Sequence, residues 1–134
     1  MFHVPERTHA GLLLMTSLAE RYADQGFVSL QVIAADKQLS QAYLEEIAAL
    51  LRRHALIEGR QGPRGGYRLQ RAPADISLAD ITQAIEGELA LVECQKKNAS
   101  CPLESGCKTK HMWQGLQASI ETHLTETSLA DMLS

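Results

Sequence analysis

Between Ser29 and Leu69 the chain sets out two apolar-periodic segments, a tight break and a glycine-rich turn between two strand-like runs. No other feature limits the fold as much. Ser29 suits the N-cap of a short helix, Leu30 to Asp36, carrying Val32, Ile33, Ala34 and Ala35. A serine hydroxyl there accepts from the orphan N–H groups of a first turn. After a break at Lys37-Gln38-Leu39, Ser40 caps a longer helix to about His54, with Leu44, Ile47, Ala48, Leu51 and Ala55 on one side. A short helix, a tight break and a second helix with a polar start make a helix-turn-helix. Leu56-Ile57-Glu58 then reads as a strand, Gly59 to Gly66 as a turn with four glycines and one proline, and Tyr67-Arg68-Leu69 as the return strand. The result is a β-hairpin wing.

The flanks add three more helices. From about Arg7 to Tyr22 the pattern is helical and apolar over much of its girth, which predicts packing on both sides, with Gly26 as the breaker. After the connector Ala72-Pro73-Ala74-Asp75, Ser77 and Asp80 have capping-box spacing. They open a helix with Leu78, Ile81, Ala84, Ile85 and Leu89 as its stripe, ending between Gly87 and Cys94. Farther on, Trp113, Leu116, Ile120 and Leu124 form a continuous seam on a helix from about Lys110 to Leu124. A domain this small cannot cover every such face itself, so a dimer helix and an intramolecular core helix are both open. The expected fold is mainly α with a small β-hairpin: a winged helix-turn-helix over residues 1–72, then a loop and dimerisation helices over 73–134, in one compact domain.

The 134 residues are enough for one core, filled by Leu, Ile, Val and Ala because aromatics are only 4%. There is no signal-peptide pattern and no apolar run near the roughly 20 residues of a membrane span, so a reducing cytoplasm and no membrane partner are expected. The net charge of −3 looks wrong for a nucleic-acid binder. Its distribution does not: residues 52–71 hold six arginines against Glu58 alone. A basic patch on an acidic body can still bind phosphate locally.

A recognition helix works because the major groove, about 12 Å wide, admits one α-helix whose N-terminal side chains meet base edges. The candidates are Ser40, Gln41, Tyr43 and Glu45. Glu45 suits the cytosine amino group and Gln41 an adenine edge, while Ser40 and Tyr43 suit phosphate. Arg52 and Arg53 at the end of that helix belong to the same basic patch, and Arg60 and Arg64 of the wing suit phosphate or a narrow minor groove.

The cysteines are Cys94, Cys101 and Cys107, spaced Cys-x6-Cys-x5-Cys in a stretch rich in Gly, Ser, Asn and Pro. Clustered odd thiols without a secretory signal are poor disulfide material and good metal-ligand material. Thiolates select iron–sulfur clusters, zinc or copper(I). A cluster usually takes four protein ligands, and histidine can replace cysteine, so His111 and His9 are candidates for the remaining place. Structural zinc sites normally use closer cysteine pairs.

The segment SQAYLEEIAALLRRHALIEGRQGPRGGYRL, the following ISLADITQAIEG and the cysteine triad leading into a tryptophan-bearing helix resemble the Rrf family of bacterial winged-helix regulators, of the IscR and NsrR type. The resemblance spans nearly the whole chain. It implies a homodimer on palindromic double-stranded promoter DNA, with a 2Fe-2S or 4Fe-4S cluster on Cys94, Cys101 and Cys107 that tunes DNA binding. The ending TSLADML and the cysteine spacing are similar to the subgroup that regulates iron–sulfur assembly genes. Departures bear on the ligands. The 2Fe-2S branch has a histidine three residues after the last cysteine, where this chain has Lys110 followed by His111. In the nitric-oxide-sensing branch a carboxylate on the partner's first helix completes a 4Fe-4S cluster; His9 aligns with it. A wing arginine of the family aligns with Gln61, beside Arg60, and a serine common two residues after Ser40 is Ala42.

The expected function is therefore a cluster-sensing transcription regulator, with no small-molecule substrate. A zinc- or thiol-based regulator is the first rival, and an iron–sulfur carrier or small redox protein the second. The chain has no serine–histidine–acid arrangement, phosphate loop or paired catalytic carboxylates, so no enzyme is expected.

Overall fold

Helix α1 (Glu6–Glu20) packs against nearly every other part of the molecule. In the computed structural model, which describes residues 3–24, 26–92 and 107–134, it touches α2 (Leu30–Lys37), α3 (Gln41–Arg53), α4 (Leu78–Glu86) and the C-terminal turn. The girdle of apolar residues explains this: Ala10, Leu14, Met15, Leu18 and Ala19 are all buried. Gly11 permits the closest approach, since a methyl there would run into the tip of Ile85 on α4. The helix stops at Glu20, short of the expected Tyr22, and a 3-10 turn, Tyr22–Asp24, follows.

Serine caps set the starts of α2, α3 and α4. The Ser29 Oγ accepts from Gln31 N–H at 3.1 Å and the Ser40 Oγ from Tyr43 N–H at 3.2 Å. Ser77 and Asp80 close a full capping box, with both bonds at 3.0 Å. The break between α2 and α3 is made by Gln38, which takes the left-handed conformation (φ 57°) without being glycine. Leu44, Ile47, Ala48 and Leu51 of α3 are buried as the spacing predicts. Ala55 is not: it also turns left-handed (φ 58°) to end α3 and is exposed. Helix α4 ends at Glu86 on Gly87, so Leu89 lies beyond its stripe.

Strands β1 (Ile57–Arg60) and β2 (Gly66–Leu69) pair antiparallel from Ile57↔Leu69 to Arg60↔Gly66. The turn is therefore shorter than the glycines suggest, because Gly59 and Arg60 continue the ladder. A third segment joins it: Val28 and Tyr67 exchange both backbone hydrogen bonds at 2.8 Å. Gly66 (φ 143°) is required there, since any Cβ would collide with the Val28 carbonyl.

Helix α5 (Lys110–Glu126) is different. It rests on α4 yet has no buried residue. Trp113, Ile120 and Leu124 are half-buried, and Met112 and Leu116 are exposed. Its C-terminal end is fastened. Leu78 N–H donates to the Thr127 carbonyl at 2.9 Å and Leu129 N–H to the Ile76 carbonyl at 2.8 Å. Leu129 is wholly buried, and Ser128 and Asp131 bond reciprocally across the start of a last 3-10 turn, Ala130–Leu133. Among the described residues the architecture is five α-helices and a two-stranded hairpin, mainly α as the sequence implies. Among the described residues no helix is long and apolar enough to cross a membrane.

Candidate nucleic-acid interface and thiol site

The N-terminus of α3 presents Ser40, Gln41 and Glu45 to solvent, because its apolar stripe turns the opposite face inward. The Ser40 hydroxyl already accepts from Tyr43 N–H, which leaves its proton to donate. Gln41 Nε2 donates to Glu45 Oε1 at 3.4 Å, one turn along. Reading a base with either side chain means exchanging this weak, exposed bond for a base edge. Tyr43 is half-buried and packs against the core, so only its outer part is available. Arg52 and Arg53 are exposed in the last turn of α3, where cations favour the helix dipole.

In the wing, Gln61 and Arg64 are exposed in the turn, while Arg60 ends strand β1. One grouping was not foreseen. The ring of Phe27 lies under two guanidinium groups, with Arg68 Cζ 4.5 Å and Arg60 Cζ 5.5 Å from its centroid. Arg68 Nε also donates to Glu58 Oε1 at 2.6 Å. No local pattern announces it, because Phe27 reaches these arginines through the long-range pairing of Val28 with Tyr67.

Of the three cysteines only Cys107 lies among the described residues; Cys94 and Cys101 fall outside them. Cys107 is half-buried, two residues ahead of Thr109, the N-cap of α5. Its Sγ is 3.3 Å from the Thr109 hydroxyl. That hydrogen bond and the Thr109 backbone N–H, helped by the Lys110 backbone N–H and charge, hold its pKa below the ordinary thiol value against the opposing effect of burial. Thiolate is the species that binds metals and reacts. His111 is exposed in the first turn of α5, and His9 is exposed on α1. Among the described residues no three His, Cys, Asp or Glu side chains gather as a metal site. The soft donor set itself, three cysteines of which Cys107 has a lowered pKa, can hold an iron–sulfur group and equally zinc or copper(I).

The family model for Rrf2, described as an iron-dependent transcriptional regulator, matches residues 4–134. Over 113 residues the chain is 30% identical to the HTH-type transcriptional regulator IscR of Sodalis glossinidius, covering 84% of this chain and 68% of that protein. The solved structure of T. potens IscR superposes with a TM-score of 0.78 at 37% identity, over 98% of this chain and 86% of that one. The structure of CymR, the global cysteine regulator of B. subtilis, superposes with a TM-score of 0.79 at 29% identity, over 98% and 96%. These relatives are transcription regulators rather than enzymes, and their winged-helix fold is the fold seen here.

Proposed function

This chain belongs to the Rrf2 family of helix-turn-helix transcription regulators, and from that premise we propose that it binds promoter DNA as a homodimer under the control of an iron–sulfur cluster. The observation that carries the reading is the position of Cys107. It stands just ahead of α5, the helix whose apolar seam this chain covers only in part. A ligand at that thiol acts on the first turn of the element that pairs two subunits. The spacing of two recognition helices follows from that pairing, and it must be about 34–36 Å to meet successive major grooves.

Cys94, Cys101 and Cys107 would hold the cluster, with His111, or His9 in trans, as the further ligand. When bound, the cluster supplies an iron centre that oxidation, nitric oxide or iron scarcity can remove. The chain's own residues do the rest. Thr109 and Lys110 lower the pKa of Cys107 and so favour its thiolate form. Ser40, Gln41, Tyr43 and Glu45 enter the groove, while Arg52, Arg53, Arg60, Gln61 and Arg64 meet phosphates and the wing's groove.

A second reading keeps the DNA binding and replaces the cluster by thiol chemistry alone. It draws on the similarity to CymR and on the thiolate character of Cys107. Anaerobic purification with an absorption spectrum and iron, sulfide, zinc and DNA-binding assays separates the two. A brown protein with equimolar iron and sulfide, whose C94A, C101A and C107A variants lose both iron and the cluster-dependent change in DNA affinity, is expected. A colourless, iron-free protein that fails reconstitution overturns the cluster, and DNA binding that still depends on Cys107 then favours the thiol reading.

A further inference from the structure

We propose that Phe27 is a positioning residue of the wing: its ring pre-orients the Arg60 guanidinium for DNA, while Glu58 takes up the charge of the neighbouring Arg68. This rests on the DNA-binding reading above and adds a residue to it.

The backbone dictates the grouping. Val28 pairs with Tyr67, so Phe27, one residue earlier, falls beside Arg68 across the ladder. Arg68 is itself the register partner of Glu58, and Arg60 lies two residues beyond Glu58 on the same side of the pleat. Phe27, Arg68, Glu58 and Arg60 thus share the outer face. The side chains meet as this register requires, with both arginines over the ring and Arg68 bonded to Glu58.

Packing alone does not account for the aromatic. Val28 is part of the hydrophobic core, whereas Phe27 is half-buried and outside it. Two guanidinium groups lie over its ring. Two cations on one ring would repel, and the single acid of this basic stretch sits where it cancels one of them. What is left is Arg60: exposed, stacked, and in no ion pair among the described residues. An arginine held on a π face surrenders less freedom on binding than one loose in solvent, which is the gain from preorganisation.

The test is a double-mutant cycle on the full chain, read by fluorescence anisotropy with a labelled duplex that the wild-type chain has enriched from a random-sequence pool. Phe27→Leu keeps an apolar side chain and removes the π face; it should weaken binding about three- to tenfold. Arg60→Ala should weaken it at least as much, and the double variant should match Arg60→Ala within about twofold. Phe27→Trp, a better cation-binding face, should hold or tighten binding. The proposal is overturned if Phe27→Leu costs nothing, or if its penalty and that of Arg60→Ala multiply in full. Should Phe27→Leu fail to fold, the Phe27→Trp background decides: Arg60→Ala must cost at least as much there as in the wild type, and a smaller cost overturns the idea. If the wild-type chain enriches no duplex, the DNA-binding reading itself fails, and that is known before any variant is made.

Discussion

The body of the molecule and its last long helix obey opposite rules. Helices α1, α3 and α4 each bury the centre of their apolar face completely: Leu14, Leu44, Ile47, Leu51 and Ile81 meet no solvent to speak of. Helix α5 carries an equally regular apolar seam and buries none of it completely. Both regions have the same kind of sequence pattern. The difference teaches that periodicity reports a face that needs covering, not whether this chain supplies the cover.

Four experiments test the contrast. Leu51→Ala opens a cavity in the self-sufficient body and should cost about 2–5 kcal/mol in urea unfolding; a loss under 1 kcal/mol would mean that the body is loosely packed. Ile120→Asp on the seam should instead leave the helical circular dichroism intact and convert a dimer to a monomer in sedimentation. Losing bivalent engagement should then weaken DNA binding on the order of a hundredfold. A variant that stays dimeric would show that the seam is not the interface. Ser77→Ala removes half of the capping box that starts α4 and should lower stability by about 1 kcal/mol, without altering the oligomer. The smallest effect lies at the thiol. With Cys94 and Cys101 replaced by serine, alkylation of Cys107 should already be fast below the pH at which an ordinary thiol ionises, because its lowered pKa leaves thiolate present there. Thr109→Val should move that pH profile upward, and an unmoved profile would remove the hydroxyl from the account.

Local chemistry explains which parts could be read in advance. Ser29, Ser40 and Ser77 each cap the helix their position predicts, because a cap is a contact within three residues. Gly87 stops α4 for the same kind of reason. Gln38 and Ala55 end α2 and α3 left-handed without being glycine, so composition gave no sign of Ala55 turning away from the stripe. Gly59 and Arg60 looked like turn and became strand, since the register that begins at Ile57↔Leu69 has room to continue to Arg60↔Gly66. Phe27 over the wing arginines and Leu129 beneath Ile76 are contacts across tens of residues, with no local signature. At the candidate sites Ser40, Gln41 and Glu45 of α3 and Gln61 and Arg64 of the wing are exposed. Cysteine spacing names ligands but cannot place their atoms, and two of the three lie outside the described residues.

The fastening of Leu129 has a mechanical consequence. Helix α5 has 17 residues, so it is a rod about 25 Å long. One end is nailed to the body by two backbone hydrogen bonds and a buried leucine. The other end begins at the thiol. A rod fixed at one end swings farthest at the other, so a small rearrangement around Cys107 has the full length of the helix as its lever arm. The same geometry gives the pinned end the least travel.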